Sequence, residues 1–157
     1  KTDSGGYNAL DISSFNHPVK SLFFGFGTSQ TNFTVDRFTF KNADIQINGT
    51  PLLENMSPTY FHTVQNYYKS RHGVSDYRVD TEDLMYTRYF AYHFGLNASD
   101  YNPSGSCNFS RLDNAKLILR GVEKGILRGD QKDIYIFAVN YNVLRIKDGL
   151  AGILFGN

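Results

Sequence analysis

The feature that most constrains the fold is the run IYIFAVNYNVLRI, Ile134 to Ile146, near the end of the chain. It is rich in β-branched and aromatic residues and contains no Gly or Pro, which favours a β-strand over a helix. With a period of two, apolar side chains fall on both faces of this strand. A strand of that kind is poorly suited to the solvated edge of a small sheet. We therefore expect it to be central in its sheet or covered by a second layer.

The segment LAGILF, Leu150 to Phe155, is also apolar and follows a turn signal formed by Lys147, Asp148 and Gly149. Chain termini fray unless they are docked, and this segment is too apolar to remain in water. We expect an edge or lining strand packed within its own sandwich. Docking across a subunit boundary is the alternative.

Size and charge restrict the functional classes. A chain of 157 residues is predicted to form one domain. The net charge of +1, with 16 basic and 15 acidic residues, gives no sign of a nucleic-acid-binding stripe or a membrane-binding helix. The single cysteine, Cys107, excludes an internal disulfide framework. No apolar run reaches the roughly 18 residues that a membrane-spanning helix needs.

Alternating segments upstream predict the partner strands. Residues 1–16 are polar and rich in Gly and Ser, which predicts a linker or lead-in loop before a domain at 17–157. Ile45 and Ile47 are predicted to face inward, with Asp44 outward. Three other strands each place a set of side chains on one face: Leu22, Phe24 and Phe26; Tyr86, Arg88, Phe90, Tyr92 and Phe94; and Ala115, Leu117 and Leu119. Between Asn32 and Phe40 the alternation changes phase, through either a β-bulge or two short strands.

One short helix is predicted at Ser57 to Tyr68, with Ser57 as its cap, Pro58 at its first position and a length of one or two turns. The polar stretch from Lys69 to Asp83 predicts a surface loop. Six to eight strands with at most one short helix indicate an all-β sandwich. The long loops favour a jelly roll over a compact meander.

Candidate metal and catalytic residues do not cluster. The four histidines are at least ten residues apart in sequence and lack the His-x-His spacing of metal-binding jelly rolls; they are His17, His62, His72 and His93. The carboxylates Asp80, Glu82 and Asp83 lack the spacing of a calcium loop. Cys107 has no neighbouring histidine and no nucleophile-elbow pattern, so a small filler is expected there. We therefore expect no catalytic, cofactor or metal site and no cofactor.

Five Asn-x-Ser/Thr triplets occur, at Asn32, Asn48, Asn55, Asn97 and Asn108. Such triplets also arise by chance in β proteins rich in Asn, Ser and Thr. We expect no standard glycosylation, since a glycan on Asn108 would clash with the turn-rich segment around it.

Five motifs resemble one family, in the same order along the chain. They are FNHPVKSLFF (Phe15 to Phe24), IQINGTPL (Ile45 to Leu52), TYFHTVQNYY (Thr59 to Tyr68), NPSGSCNFSRLDNAKL (Asn102 to Leu117) and AVNYNVLRIKDGLAGILF (Ala138 to Phe155). Together they are similar to the C-terminal region of the major capsid proteins of nucleocytoplasmic large double-stranded DNA viruses, the group that includes phycodnaviruses, mimiviruses and iridoviruses.

The resemblance implies the second, C-terminal jelly roll of a double jelly-roll capsid protein, with no counterpart of the first jelly roll in these residues. It implies homotrimers with a pseudo-hexagonal outline that tile an icosahedral capsid, usually over an internal membrane that they do not span. The implied partners are other copies, neighbouring capsomers and minor capsid proteins, with no direct contact to nucleic acid. The implied location is the virion, assembled in the host cytoplasm.

The turn-rich segment from Asn102 to Asn114 is interpreted as a structural corner rather than a binding site. Arg111 and Asp113 share strand parity there and are candidates either for an ion pair or for hydrogen bonds to the backbone of a neighbouring loop. The alternative function is a carbohydrate-binding β-sandwich module, suggested by Tyr- and Phe-rich faces and many Asn and Asp residues. A cupin-like enzyme is disfavoured by the histidine spacing.

Overall fold

The computed structural model describes residues 6–26, 38–70, 89–124 and 134–156. These residues form two four-stranded antiparallel sheets over one core and two further two-stranded antiparallel sheets. The strands are β1 (Tyr7–Asp11), β2 (Pro18–Phe26), β3 (Phe38–Thr39), β4 (Asn42–Ile47), β5 (Thr50–Met56), β6 (Tyr89–His93), β7 (Cys107–Asn108), β8 (Ala115–Arg120), β9 (Glu123–Lys124), β10 (Ile134–Asn140), β11 (Leu144–Lys147) and β12 (Leu150–Ile153). A π-helical turn (Tyr60–Val64) continues into helix α1 (Gln65–Lys69), and a 3-10 turn spans Phe109–Arg111.

The first sheet has the strand order β1-β8-β4-β5. In β8, Ala115, Leu117 and Leu119 are buried, as their alternation predicted, and Leu117 lies opposite Ile45 of β4. Strand β4 departs from the prediction because Asp44, expected to face outward into solvent, is buried. Strand β5 shifts register against β4 on both sides of Ile45.

The second sheet has the order β10-β2-β6, and β7 also pairs with β2. Strand β2 begins at Pro18, where the missing N–H costs no ladder hydrogen bond. Leu22 and Phe24, predicted to share one face, are buried, and so are Phe90 and Tyr92 of β6. Four rings from β2, β6, the π-helical turn and the residue after β3 meet in the core with centroids 4.9–6.1 Å apart: Phe24, Phe40, Phe61 and Phe90.

The predicted helix is confirmed and is longer than expected, since residues 58–69 are helical throughout. The backbone N–H of Tyr60 donates to the carbonyl of Ser57 at 3.0 Å and to its hydroxyl at 3.4 Å. Ser57 therefore caps the helix, as predicted. Lys69, expected to open a loop, ends α1 instead. The rest of that expected loop lies outside the described residues from position 71 onward.

The loop expected for residues 1–16 is wrong over Tyr7–Asp11, which form β1 beside β8. Ile12 directly after β1 is buried in the core. The strand shows no apolar alternation in the sequence. Ala9 and Asp11 are exposed, and the buried residue, Asn8, is polar. Backbone pairing with β8 defines the strand, and apolar alternation does not.

Among the described residues, the segment Ile134 to Ile146 is neither central in its sheet nor covered on both faces, contrary to the prediction from the sequence. Strand β10 ends at Asn140 and lies at one end of its sheet among the described strands. Ile134, Ile136 and Ala138 are half-buried against the core, whereas Tyr135, Phe137 and Val139 are about half exposed. Its pairing with β2 shifts register after Val139. The apolar outward face is therefore not covered by the described residues.

The terminal segment forms a separate hairpin, β11–β12, rather than a strand packed on its own sandwich. The predicted turn is present, with Asp148 at φ 53° and Gly149 at φ 78°, as two-residue hairpin turns require. Every residue of both strands is exposed. Among the described residues, no helix has the length and apolar character needed to cross a bilayer.

Candidate functional site: a buried polar cluster and an exposed apolar surface

The buried polar cluster is centred on His93, at the end of β6. Its Nδ1 lies 2.8 Å from the hydroxyl of Ser21 on β2, and its Nε2 lies 3.1 Å from the side-chain oxygen of Asn66 on α1. All three side chains are buried. A neutral imidazole with its proton on Nε2 donates to Asn66 and accepts from Ser21, so both ring nitrogens are satisfied.

The backbone of His93 is held by the same helix. Its N–H donates to the side-chain oxygen of Gln65 at 3.0 Å, and its carbonyl accepts from the ammonium of Lys69 at 3.0 Å. These two groups point away from β2, since the next residue, Phe94, donates its N–H to Lys20 of β2. Two helix side chains thus satisfy backbone groups that a further strand would otherwise pair.

The arrangement of Ser21, His93 and Asn66 has the order of a nucleophile, a base and an orienting group. Its burial argues against catalysis, because Ser21 and His93 are each 2% exposed. Burial, followed by the nearby charges of Lys69 and Lys20, lowers the pKa of His93 to about 4. The imidazole is neutral at pH 7, and the cluster joins α1 to the second sheet.

The other two described histidines, His17 and His62, do not join this cluster as metal ligands. His62 is buried, its ring lies edge-on to Phe90, and its carbonyl accepts from the side chain of Asn66 at 2.6 Å. His17 occupies a turn at φ 65°, where its N–H donates to the hydroxyl of Ser110 at 2.8 Å. His72 and the carboxylates Asp80, Glu82 and Asp83 lie outside the described residues. Within the described part of the chain, no group of three potential metal ligands occurs.

An ion pair that the sequence did not predict links β4 to β8. The buried carboxylate of Asp44 accepts from both terminal nitrogens of Arg120, one of them at 2.7 Å, and from the backbone N–H of Asn55 at 2.8 Å. The hydrogen bonds from Arg120 are the largest cause that holds the pKa of Asp44 below its usual value. The Arg120 guanidinium also lies 5.8 Å from the ring centre of Tyr7 on β1. This group ties four strands of the first sheet together.

The segment from Asn102 to Asn114 forms the predicted structural corner. The Asn108 side chain accepts from the N–H of Ser110 and caps the 3-10 turn, which buries Phe109. The backbones of Gly95 and Gly105 touch, with a Cβ built on Gly105 lying 3.1 Å from the Gly95 Cα. The proposed ion pair is wrong: Arg111 lies in the 3-10 turn, and it and Asp113 are exposed and form no salt bridge with each other.

The structure describes Cys107 and the Asn residues of four of the five Asn-x-Ser/Thr triplets. Cys107 is half-buried against the core, and burial raises the pKa of its thiol, as expected of a filler rather than a nucleophile. Asn48 accepts from the N–H of Asn114 at 3.2 Å, and Asn97 donates to Asp100 at 2.8 Å. Asn32 lies outside the described residues. The absence of standard glycosylation stays a prediction.

The exposed apolar surface consists of the outward side chains of β10 and the residues around the terminal hairpin. Each of its ten large apolar side chains is 47–77% exposed: Tyr135, Phe137, Val139, Val143, Leu144, Ile146, Leu150, Ile153, Leu154 and Phe155. Many large exposed apolar side chains close together in the sequence are typical of a surface that binds another protein. The sequence predicted that these residues are buried, with Leu150 to Phe155 packed either within the sandwich or across a subunit boundary. Their apolar character is the signal that identifies the surface.

Comparison with known proteins assigns the chain to a family. The family described as "Large eukaryotic DNA virus major capsid protein" matches residues 7–152. The major capsid protein of Pyramimonas orientalis virus is 32% identical over 155 residues, covering 91% of this chain and 38% of that protein. The major capsid protein of Chrysochromulina ericina virus is 36% identical over 115 residues, covering 73% of this chain and 18% of the relative.

Two solved structures have the same fold. A quasi-atomic structure of the PBCV-1 virus capsid superposes with a TM-score of 0.73 at 24% identity, over 100% of this chain and 48% of that one. PBCV-1 VP54, solved as a crystal structure, gives 0.72 at 23% identity, over 97% of this chain and 46% of VP54. The all-β, jelly-roll class expected from the sequence is therefore confirmed.

The architecture is that of a viral capsid jelly roll. The chain belongs to the large eukaryotic DNA virus major capsid protein family. It spans less than half the length of the relatives and structures compared above. Membership of this family gives no support to a carbohydrate-binding module.

Proposed function

We propose that this chain is a structural component of an icosahedral viral capsid. In this proposal it is the C-terminal jelly roll of a major capsid protein whose copies assemble into homotrimeric, pseudo-hexagonal capsomers. The observation that carries the proposal is the family match over residues 7–152, joined to relatives that are themselves major capsid proteins.

Assignment to one jelly roll of two is supported by length. The chain covers 46–48% of the two PBCV-1 capsid structures, as one of two similar domains would. Strand β1 and Ile12 pack with the remaining strands, so we place residues 7–16 in the same domain as the rest. The C-terminal position follows from the family resemblance of the motifs.

The absence of catalysis is part of this proposal. The Ser21 hydroxyl and the His93 imidazole are closed off from solvent, and the thiol of Cys107 is disfavoured as a thiolate. In this proposal, the role of the domain is to pack against other proteins. Neighbouring capsomers and minor capsid proteins are the proposed partners, with no direct nucleic-acid contact and an internal membrane nearby but not spanned.

The proposed location is the virion, after assembly in the host cytoplasm. Quantitative mass spectrometry of purified virions tests this directly. Peptides of this chain are expected among the most abundant in the particle, at a molar amount far above that of any packaged enzyme. Their absence from virions, or an amount of only a few copies per particle, would overturn the proposed function.

A further inference from the structure

The helix from residue 58 to residue 69 is held to the sandwich in two different ways along its length. Its first half is anchored by apolar packing, since Phe61 is fully buried and its ring packs against two other core phenylalanines. Its second half, α1, buries only Gln65 and Asn66. The two tyrosines of α1 are 70–75% exposed. Helix α1 therefore places no apolar side chain in the core.

Three hydrogen bonds between α1 and β6 go to one residue, His93. Its Nε2 donates to Asn66 at 3.1 Å, its N–H donates to the side chain of Gln65 at 3.0 Å, and its carbonyl accepts from Lys69 at 3.0 Å. The ammonium of Lys69 also lies 5.8 Å from the ring centre of Tyr92, the residue before His93. Isolated helices shorter than about 12–15 residues are marginal in water, so α1 depends on these contacts to stay helical.

The two charges that act on this imidazole are both positive. They belong to Lys69 on α1 and Lys20 on β2, and each adds to the effect of burial in lowering the pKa of His93. The hydrogen-bond partners of the ring, Ser21 and Asn66, are uncharged. A proton on the imidazole would therefore add a third positive charge to a buried site, without a carboxylate as its partner.

The other titratable groups packed around this contact do not neutralise that charge. Burial raises the pKa of the Tyr92 phenol to about 12, so the phenol is uncharged in acid. His62, in the π-helical turn before α1, carries no negative charge, and its carbonyl accepts from Asn66 at 2.6 Å. The Asp100 carboxylate, in the loop beside the end of α1, accepts from Asn97 at 2.8 Å.

We propose that His93 is an acid-sensitive docking contact: protonation of its imidazole releases α1 from β6 while the two sheets stay folded. Release removes the charge of Lys69 from the site and lets water reach the imidazole. The strand itself stays in place, because Phe90 and Tyr92 anchor β6 in the core. The outer edge of β6 is uncovered as a result. The proposal does not depend on the proposed function, since it concerns contacts within one chain.

The direction of the pH effect follows from the two states of the imidazole. Its pKa is about 4 when α1 is docked, and about 6.5 is the ordinary value that a hydrated imidazole regains on release. Docking is therefore complete above pH 6.5 and weakens as the pH falls towards 4. Between pH 7 and pH 4.5 the equilibrium constant for release is expected to rise on the order of fiftyfold.

Residue-resolved hydrogen exchange measures this release on the capsid protein that contains the chain. Two backbone amides report docking: the N–H of His93, which is bound to α1, and the N–H of Ala98, which donates to the carbonyl of Lys69 at 2.6 Å. The N–H of Phe94 donates to β2 at 3.0 Å and reports the sheet. From pH 7 to pH 4.5, after correction for intrinsic exchange, protection of the two docking amides is expected to fall on the order of fiftyfold. Protection of Phe94 is expected to change less than about twofold.

Three variants separate the titration of His93 from a merely structural role, with Ala98 as the reporter. His93→Gln is expected to lose the pH dependence of protection. Lys69→Met is expected to lower protection at pH 7 and to reduce the pH dependence, because one charge that opposes protonation is gone. The matched control is Gln65→Met, which removes a hydrogen bond to the backbone of His93 and leaves its ring contacts in place. It is expected to lower protection at both pH values by the same factor.

Three results would overturn the proposal. The first is a fall of less than about fivefold in the protection of the docking amides between pH 7 and pH 4.5. The second is an equal fall at Phe94, because the strand would then open together with the helix. The third is a pH dependence that both His93→Gln and Lys69→Met retain in full, which would assign the acid response to another group. The virion abundance test of the proposed function is independent of all three.

Discussion

The side chain of Gln65 accepts a hydrogen bond from the backbone N–H of His93 at 3.0 Å. This bond lets a helix residue take the place of a neighbouring strand at the side of β6 away from β2. Unpaired strand edges are templates for aggregation, and natural proteins cover them in ways of this kind. The helix from residue 58 to residue 69 therefore stabilises the sheet and also protects its edge.

Replacing Gln65 with Met keeps the side-chain volume and removes the acceptor. The N–H of His93 is then buried without a partner, which costs roughly 1–3 kcal/mol of unfolding free energy. Urea denaturation measures the loss. Tyr67→Leu on the exposed side of the same helix is the control and is expected to stay within about 0.5 kcal/mol of wild type. Equal stability of Gln65→Met and wild type would show that the edge is covered by other groups.

His93 makes stability depend on pH. Its pKa is lowered to about 4 in the folded protein, against about 6.5 in the unfolded chain. Between these values only the unfolded chain binds the proton, so stability is full above pH 6.5 and falls as the pH drops towards 4, by up to about 3 kcal/mol. The charges that face this imidazole, Lys69 and Lys20, act in the same direction.

Denaturation curves between pH 7 and pH 4 check this prediction. His93→Gln is expected to remove most of the pH dependence in that window. The control is His17→Asn, since Asn tolerates the left-handed backbone of that position, and it is expected to retain the dependence. A wild-type protein equally stable at pH 6.5 and pH 4.5 would contradict the account of the buried cluster.

Asp44→Asn removes the charge that Arg120 binds. Because the carboxylate is buried and the guanidinium is partly exposed, we expect a loss of roughly 2 kcal/mol, below the range for a fully buried pair. Asp113→Asn makes the same substitution at an exposed position and is expected to have little effect on stability. The pKa of Asp44 is lowered, so its contribution is present at neutral pH and is lost only as the pH falls through its folded pKa.

Thermal denaturation of the Asp44→Asn and Asp113→Asn proteins at pH 7 measures the difference. Matching melting temperatures for the two variants would mean that the ion pair adds nothing to stability.

Gly95→Ala tests the close approach of Gly95 and Gly105 at the structural corner. A Cβ at this position would lie 2.8 Å from the Ser104 hydroxyl oxygen and 3.0 Å from the Gly105 carbonyl oxygen, so the two loop segments must separate. We expect a loss of roughly 1–3 kcal/mol, as for other over-packed sites. Gly152→Ala is the control, because nothing lies within 4 Å of its Cβ. A Gly95→Ala melting temperature equal to that of Gly152→Ala would contradict the close approach.

Sequence patterns identified the strands that bury one face against the core. Leu22 and Phe24 in β2, and Leu117 and Leu119 in β8, alternate with other residues and are buried where the alternation placed them. The helix cap at Ser57 was also recognisable, since it depends on neighbouring residues. These features are local, and local patterns are sufficient to specify them.

Three features were missed, and two of them depend on residues that are distant in the sequence. The burial of Asp44 requires Arg120, which lies 76 residues away. The strand at Tyr7–Asp11 is defined by pairing with β8. The exposure of Phe137 and Ile146 has a different cause, because apolar composition shows that a side chain favours burial and does not show which molecule buries it.

The native mass of the protein tests the central claim most directly. Native mass spectrometry of the capsid protein released gently from virions is expected to show a homotrimer, with each subunit containing this chain, as the trimeric capsomer requires. A species that remains a monomer under conditions that preserve other capsomers, or a complex with no second copy of this chain, would contradict the account.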